Sequence, residues 1–571
     1  MARDALHYLT AFARSGLVPF ARQTLGEVTL ADVLARWARQ QPSALALQVG
    51  DERLTSAELE LAAQGAAAQL LALGAAPGDV VALIGRNSSA YVAWLLGAAR
   101  LGVTLTLPHP ELAGEPLQQA LEAARATRVL VERELAAAVR ASTALPLLEF
   151  DPARSEPWWA PPQPPPFSPA RRAHDFARVF TSGTTGLPKA CRLPHSRVLA
   201  AACLFGAPLF DYRASDKLLC ALPLHHGSPL MLGLGACLVT RTPLVLLRRF
   251  SASELLPTAE QSGATVLLYV GDLGRLLLAT PKSERDRRHS LRLAVGNGMA
   301  ADVWSAFMER FGIPQVREFY AATESPVGLF NFSGRLGSVG NLPYPWLFGL
   351  KLAKLDSEGQ LLRNERGRLV ECGPDEPGEL LVRARASGVG VYHGYVDRGD
   401  TEARLVRGAF HDGDVLFRTG DVLRRDRDGF FYFVERRGDG YRFRGENVSA
   451  QLVERELTRV PGVSAAQVSS VALPGYDGRA GVALLVPAAD FEVERLSVLA
   501  ERLPRAALPR VVRLLADLPR TGSLKPKRRP LTTAELDPAR VTDPLWIWAD
   551  GRFRPLDGDA YRELMAGRLR L

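Results

Sequence analysis

The chain has 571 residues, more than one hydrophobic core usually serves, so its length predicts two to four domains. Hydrophobic residues make up 47% and charged residues 23%, ordinary proportions for a folded protein, which excludes disorder of the whole chain. The 70 basic residues exceed the 61 acidic ones by 9, but they are spread along the sequence. This argues against a nucleic-acid-binding protein with one basic patch. A generic basic surface is favoured over one that attracts anionic ligands or lipid head groups.

Two apolar stretches that resemble membrane segments are interpreted otherwise. Residues 1–23 lack the cleavage site of a secretory signal, and their helical spacing of apolar residues predicts a docked helix, with a membrane-surface anchor as the alternative. Residues 218–240 are long enough to span a bilayer, but Pro223 and several glycines favour a buried strand, loop and helix. The expected location is cytoplasmic, with peripheral contact on the inner face of a membrane left open.

The elements in chain order predict an α/β protein. Residues 28–150 alternate Ala- and Leu-rich helices with short apolar strands, which is typical of mainly parallel sheets covered by helices. A proline-rich connection follows at 152–170, and a β-rich subdomain is expected at about 356–435. We expect a large N-terminal domain over 1–435, a hinge at 436–440 and a small mobile α+β domain over 441–571.

The strongest local signal is the string RVFTSGTTGLPKA at residues 178–190, where an apolar strand end enters a loop rich in glycine and hydroxyl groups. Two glycines allow close approach of backbone N–H groups to a ligand, and the lysine adds a positive charge. The string differs from the Walker pattern, and an ordinary loop is the alternative. We predict that it binds a polyphosphate through Thr181, Ser182, Gly183, Thr184, Thr185, Gly186 and Lys189.

The segment TSGTTGLPKA resembles the phosphate loop of the adenylate-forming enzymes, which include acyl-CoA synthetases, luciferases and peptide-synthetase adenylation domains. Further motifs of that family follow in order. The resemblance implies that the string FYAATE supplies an aromatic ring beside adenine, a hydroxyl donor to the α-phosphate and a carboxylate for Mg2+. These residues are Tyr320, Ala321, Ala322, Thr323 and Glu324. It also implies that the turn VGNGM lies against adenine and the acyl group, through Gly296, Asn297 and Gly298.

The remaining motifs lie towards the carboxyl end. By resemblance, Asp421 in FRTGD accepts hydrogen bonds from the ribose hydroxyls, Arg436 also reaches the ribose, and Lys525 in TGSLK bridges the carboxylate and the α-phosphate. Lys525, Glu324 and Thr184 are thereby the expected catalytic residues. Each of the motifs after the phosphate loop is weak alone, since charged residues in such stretches are usually solvated. The five motifs in one order are much stronger than any one of them.

Longer strings, including TGDVLRRDRDGFFYFVERRGDGYRFRGEN, resemble the fatty-acid transport protein and very-long-chain acyl-CoA synthetase branch of the family. In that branch a histidine often gates the acyl site, and His226 takes this position, although a buried structural histidine is an equal alternative. The family usually has an aromatic residue before this histidine and a serine after it, where this chain has His225 and Gly227. The expected hinge residues are Gly438 and Asp439.

The resemblance implies an AMP-forming acid–thiol ligase that uses ATP, Mg2+ and coenzyme A, with a long- or very-long-chain fatty acid as substrate. Alternatives of the same chemistry are transfer to an acyl carrier protein, or activation of a bulky sterol or aromatic acid. A lipid-uptake protein with an idle site is an alternative of another class. A homodimer is left open. No zinc site or disulfide is expected, because no cysteine has suitable spacing among Cys191, Cys203, Cys220, Cys237 and Cys372.

Overall fold

The computed structural model describes residues 28–152, 165, 174–182, 188–342, 349–356, 359–387, 390–437, 440–443, 446–476, 478–520 and 529–569. The predicted N-terminal helix lies outside the described residues, as does nearly all of the proline-rich connection at 152–170. All five cysteines are buried and free. No helix in the described ranges has the length and apolar character that crossing a membrane requires.

The described strands are numbered in chain order. They are β1 Leu45–Val49, β2 Glu52–Thr55, β3 Val80–Ile84, β4 Thr104–Leu107, β5 Arg128–Glu132, β6 Leu147–Phe150, β7 Asp175–Ser182, β8 Pro188–Pro194, β9 Leu218–Cys220, β10 Leu244–Leu246, β11 Val266–Val270, β12 Leu293–Asn297, β13 Val316–Tyr320, β14 Leu329–Asn331, β15 Leu350–Ala353, β16 Gly378–Arg383, β17 Leu405–Arg407, β18 Val415–Arg425, β19 Phe431–Arg436, β20 Tyr441–Phe443, β21 Glu446–Val448, β22 Val463–Val471, β23 Ala480–Pro487, β24 Val511–Leu514, β25 Leu545–Ala549 and β26 Arg552–Pro555.

The described α-helices are numbered in the same way. They are α1 Leu30–Gln40, α2 Ser56–Ala72, α3 Ser89–Leu101, α4 Gly114–Ala123, α5 Ala136–Arg140, α6 His195–Leu204, α7 Ala236–Thr240, α8 Leu255–Ser262, α9 Gly271–Leu278, α10 Ala301–Phe311, α11 Arg398–Glu402, α12 Ala450–Thr458, α13 Leu499–Arg502 and α14 Gly558–Met565. Two π-helical turns adjoin these helices. Phe205–Leu209 follows α6, and Pro229–Gly235 precedes α7.

The chain divides into two compact units. The first contains the described residues up to Leu350, with Val382–Thr419 and Arg427–Phe431. The second contains Lys351–Leu381, Gly420–Asp426 and the described residues from Tyr432 onward. The predicted domain limits of 1–435 and 441–571 separate a large domain from a mobile one. A division into compact units does not report motion, so these limits stay a prediction.

The first unit contains two largely parallel sheets. One has eight strands in the order β14-β13-β12-β11-β9-β10-β1-β2, and its central pairs from β1 to β13 are parallel. The other has six strands in the order β6-β5-β3-β4-β7-β8, all paired in parallel except the β7–β8 hairpin. The expected α/β class with mainly parallel sheets is confirmed. Strands such as β3 are buried along their whole length, because helices cover both faces of such a sheet.

Local signals in the sequence account for the helices between these strands. Helix α2 begins after Thr55, whose hydroxyl caps the first turn while Glu58 bonds back to the Thr55 N–H. Helix α3 ends at Gly102, which adopts the left-handed conformation common for a glycine at the end of a helix. The apolar run at 218–240 forms strand β9, a loop, a π-helical turn and α7, as predicted, although the π-helical turn was not foreseen.

The second unit includes a mixed sheet in the order β22-β23-β24-β25-β26, packed with α12, α13 and α14 around its own apolar core. Among the described residues a short hairpin of β20 and β21 precedes it. A further sheet has the order β15-β16-β18-β17, with β19 paired to β18. Strand β15, at Leu350–Ala353, precedes the predicted β-rich region of about 356–435, and the other strands of this sheet begin within it. Both helices and strands therefore occur beyond residue 440, as the predicted α+β character requires.

Candidate active site

The predicted phosphate-binding string lies on the β7–β8 hairpin. Thr181 pairs with Lys189 across this antiparallel ladder, and Ser182 pairs with Pro188. The loop that joins the two strands carries Gly183, Thr184, Thr185 and Gly186, which lie outside the described residues. The hairpin thus brings Thr181, the first of the predicted phosphate ligands, beside Lys189, the last of them. The role of the loop stays a prediction.

The glycine-rich turn and the FYAATE motif begin at the ends of two neighbouring parallel strands. Strand β12 ends at Asn297, strand β13 ends at Tyr320, and the register places Gly296 opposite Glu318. Because parallel strands end at the same edge of a sheet, the two motifs lie side by side. Gly298 adopts a φ of 85°, a left-handed conformation that favours glycine. Ligands of open α/β sheets bind at this edge.

A buried carboxyl group that the motif analysis missed holds the turn. Glu318 accepts hydrogen bonds from the backbone N–H of Gly298 at 2.9 Å and of Met299 at 2.7 Å. The Tyr269 hydroxyl donates to the same carboxyl group at 2.7 Å. Burial raises the pKa of Glu318 to about 8, although all three donors favour the charged form. An acidic residue within an apolar strand was the available sequence signal, because such a residue needs partners when it is buried.

An arginine of helix α6 fixes the backbone that follows Tyr320. Arg197 donates to the carbonyl oxygens of Thr323, of Glu324 at 3.3 Å and of Ser325 at 2.6 Å. Three carbonyl groups held by one guanidinium leave little freedom to this segment, because each bond fixes a different peptide. Nothing in the local sequence pairs Arg197 with residues more than a hundred positions later, so sequence reasoning missed this contact.

The predicted metal ligand, Glu324, is only 4% exposed and has a partner. The Tyr395 hydroxyl donates to its Oε1 atom at 2.8 Å. Burial, followed by the nearby Glu324 charge, raises the pKa of Tyr395, so its hydroxyl stays a donor. Tyr395 lies on a short segment that extends the β8 edge, where Arg192 N–H donates to the Gly394 carbonyl at 3.1 Å. Tyr395 is a third site residue that sequence reasoning missed, after Glu318 and Arg197.

The same neighbourhood explains one departure from the family pattern. A Cβ atom at Gly227 would lie 2.9 Å from Cγ2 of Thr323 and 3.2 Å from its Oγ1. A serine after His226 would therefore require the side chain of Thr323 to shift, whereas glycine leaves it in place. The His226 ring lies 4.3 Å from that of His225, which packs 5.0 Å from the His109 ring. Burial lowers the pKa of His225 well below its usual value, so this ring is neutral.

The two predicted ribose ligands meet within the second unit. Arg436 Nε lies 3.7 Å from Oδ1 of Asp421, on the neighbouring strands β19 and β18. The next residue, Arg437, is held by Glu379, whose side chain is fully buried, at 2.7 Å, and donates to the Gly359 carbonyl at 2.6 Å. Of two adjacent arginines, one is therefore anchored and the other lies beside the carboxylate predicted to bind the ribose.

The expected hinge residues Gly438 and Asp439 and the expected catalytic Lys525 lie outside the described residues, and their roles stay predictions. Within the described ranges no group of three or more His, Cys, Asp and Glu side chains is arranged to hold a metal ion.

Comparison with known proteins defines the class. The AMP-binding enzyme family matches residues 34–396. Long-chain fatty acid transport protein 1 of Mus musculus is 34% identical over 597 aligned residues, covering 99% of this chain and 92% of that protein. The medium/long-chain-fatty-acid–CoA ligase FadD6 of Mycobacterium tuberculosis is 33% identical, covering 97% of this chain and 94% of that ligase. The o-succinylbenzoate CoA synthetase of Bacillus subtilis, solved with the acyl-adenylate intermediate OSB-AMP, superposes with a TM-score of 0.69 at 25% identity, covering 86% and 96% of the two chains.

The chain belongs to the AMP-binding enzyme family, whose adenylate-forming members use ATP. Within that family it is an AMP-forming acyl-CoA ligase, an enzyme that joins an acid to a thiol. The resemblance seen in the sequence motifs is thereby confirmed at the level of family and reaction class.

Glu318→Gln tests the carboxyl group that holds the turn. The pKa of this group is 4.5 in its ordinary state and about 8 in the folded protein, so between these values the folded protein holds a proton that the unfolded chain lacks. The free energy of unfolding of the wild type should therefore fall relative to Glu318→Gln as pH rises from 5 to 8, by on the order of 2 kcal/mol.

Urea denaturation at both pH values measures this difference. Glu309→Gln, at an exposed carboxylate on α10, is the control. Because it keeps Glu318, its free energy of unfolding should fall with pH as that of the wild type does. A difference between wild type and Glu318→Gln that does not vary with pH would contradict the raised pKa.

Proposed function

We propose that this protein activates a long- or very-long-chain fatty acid as its acyl-adenylate and then transfers the acyl group to coenzyme A. The observation that carries the proposal is the shared sheet edge, where the turn at 296–298 and the segment at 320–324 start from neighbouring strands. The acyl class rests on the relatives, which are named for long-chain fatty acid transport and for ligation of medium- and long-chain fatty acids.

In the first step the residues at this edge position the nucleotide. The turn at 296–298 presents flat backbone to the adenine, and Tyr320, which is 9% exposed, borders the same surface. Thr323 donates its hydroxyl to the α-phosphate, while Lys189 and the loop before it bind the β- and γ-phosphates. The fatty acid carboxylate attacks the α-phosphate, and pyrophosphate leaves. The protein contributes orientation and charge stabilisation rather than a covalent intermediate.

Glu324 fits a magnesium ligand. Mg2+ prefers oxygen donors, and it is commonly held by one or two carboxylates together with the phosphates of a substrate. The Glu324 carboxylate has one oxygen bonded to Tyr395, which fixes its orientation. The ion supplies positive charge to the phosphates, and Arg197 keeps the backbone of Glu324 in place for it.

Lys525 completes the first step and then leaves. In this proposal its ammonium group neutralises charge on the acid and the α-phosphate as the pentavalent phosphorus forms. A rotation at Gly438 and Asp439 then withdraws it, and the thiol of coenzyme A attacks the mixed anhydride. Glycine absorbs large changes of backbone dihedral angle, which suits it to a hinge.

The apolar chain of the acid needs an uncharged wall. The π-helical turn Pro229–Gly235 is buried over its whole length, and no charged residue occurs between 218 and 240. We assign this segment to the acyl side of the site, with His226 and Gly298 at its entrance. A fatty chain is favoured over a charged amino acid substrate, because such a wall offers no counter-ion.

Fatty-acid-dependent exchange between ATP and labelled pyrophosphate tests the first step. The wild type should catalyse exchange with long-chain acids, and Lys525→Ala should lower the rate by about 100-fold, because one stabilising charge is lost from the transition state. Lys527→Ala is the matched control, with an expected change of less than about threefold. Mass spectrometry of the product, with coenzyme A or acyl carrier protein as acceptor, identifies the thiol.

Two results would contradict the proposal. One is an absence of exchange for the wild type with every fatty, sterol and aromatic acid tried. The other is exchange that is equal in wild type and Lys525→Ala.

Tyr395→Phe tests the support of Glu324. Removal of the hydroxyl deletes the hydrogen bond to Oε1, and the carboxylate loses its fixed orientation. Because a hydrogen bond to a charged group contributes substantial free energy, its loss should raise the half-saturating Mg2+ concentration of the exchange reaction about tenfold. The half-saturating concentration of the fatty acid should stay unchanged.

Tyr392→Phe is the matched control, because the buried Tyr392 hydroxyl makes no hydrogen bond within the described part of the chain. An equal Mg2+ requirement in Tyr395→Phe and Tyr392→Phe would show that the Tyr395 hydroxyl does not support a metal ligand.

A further inference from the structure

The lysine that follows the predicted phosphate loop already has an anionic partner. Lys189 Nζ lies 2.5 Å from Oδ1 of Asp400, and the two side chains are 13% and 29% exposed. Lys189 is at the start of strand β8, and Asp400 is on the short helix α11, more than 200 positions later. Among the described residues, Lys189 is the one ion-pair partner of the Asp400 carboxylate.

The path of the chain delivers Asp400 to this position. Residues 394–396 run beside β8, where the Val396 N–H donates to the Ala190 carbonyl at 2.9 Å. The adjacent turn is stabilised by other side chains. Asp397 accepts from the Asp400 N–H at 2.8 Å, and the Thr401 hydroxyl donates to the Asp397 carbonyl at 2.9 Å. The Asp400 carboxylate is therefore not required to form the turn.

We propose that Asp400 is a counter-ion that competes with polyphosphate for Lys189. In the absence of nucleotide the carboxylate neutralises the lysine. When ATP binds, Lys189 turns from Asp400 to the β- and γ-phosphates, and when pyrophosphate leaves, Asp400 receives the lysine again. Asp400 is a positioning residue, since it acts through Lys189. The inference rests on the proposed function only in that the phosphates are those of ATP and its product pyrophosphate.

The charges decide the direction of the effect. Asp400 carries a negative charge beside the ammonium group that must bind a polyanion, so this ion pair has to break before Lys189 can bind the phosphates. The cost of breaking it weakens polyphosphate binding. The Asp400 charge lies 2.5 Å from Lys189 Nζ in a partly exposed pair. Such a charge lowers the affinity of a competing anion for the lysine by about tenfold. Weaker binding of the product favours its release, which is often the slow step of an enzyme.

Calorimetric titration of the full-length protein with inorganic pyrophosphate tests the proposal without requiring any turnover. Asp400→Asn keeps the size of the side chain and removes its charge, so pyrophosphate should bind about tenfold more tightly. Glu402→Gln is the matched control, because this carboxylate is on the same helix but pairs with Arg407 at 2.7 Å. Its affinity should stay within about twofold of the wild type.

A second background isolates the pair. In the Lys189→Met background, Asp400→Asn should change the pyrophosphate affinity by less than about twofold, because the lysine for which the two anions compete is absent. Tighter binding is a readout that a damaged fold does not produce, since misfolding lowers affinity.

The proposal is overturned if Asp400→Asn binds pyrophosphate as the wild type does, more weakly, or not at all at millimolar concentration. It is also overturned if the tightening persists undiminished in Lys189→Met. The result is separable from the proposed function. If Asp400→Asn binds pyrophosphate more tightly but the wild type shows no acid-dependent exchange, only the proposed function is contradicted. If the wild type shows exchange but Asp400→Asn binds pyrophosphate with unchanged affinity, only this inference is contradicted.

Discussion

Neighbouring strands of a parallel sheet end at one edge, and the candidate site of this protein depends on that constraint. Strands β12 and β13 deliver a glycine turn and an acidic motif to the same edge, although about twenty residues of helix and loop separate them in sequence. One carboxyl group makes the arrangement specific, because Glu318 reaches from β13 to two N–H groups of the turn after β12. The positions of the predicted adenine and acyl contacts follow from this one buried group.

The polar groups of the site are paired before any ligand arrives. Glu324 is bonded to Tyr395, Lys189 to Asp400, and Arg197 to three carbonyl groups of the acidic motif. Burial makes such pairing necessary, since an unpartnered charge of low exposure is costly. Glu324 and Lys189 are the groups proposed to bind the metal ion and the phosphates, whereas the three hydrogen bonds of Arg197 go to backbone carbonyl groups. In the proposed function, Lys189 exchanges its partner and Arg197 keeps its own.

The sequence predicted the elements better than the contacts between them. The alternation of helices and apolar strands predicted for residues 28–150 is seen in α2, β3, α3 and β4, because its signals are local. The motifs identified the turn and the acidic segment, and the structure places both at strand ends. Arg197, Tyr395 and Asp400 could not be found in this way, since each acts on a residue at least 71 positions away. Gly227 shows the same limit, because only the folded chain reveals Thr323 beside it.

The central claim is that nucleotide binds at the shared edge of β12 and β13. A crystal structure with a non-hydrolysable acyl-adenylate analogue tests this most directly. The account predicts the adenine ring in van der Waals contact with residues 296–298 and Tyr320, with a phosphate-mimicking oxygen within hydrogen-bond distance of the Thr323 hydroxyl. An analogue bound elsewhere, with the Gly298 turn and Thr323 untouched, would contradict the account.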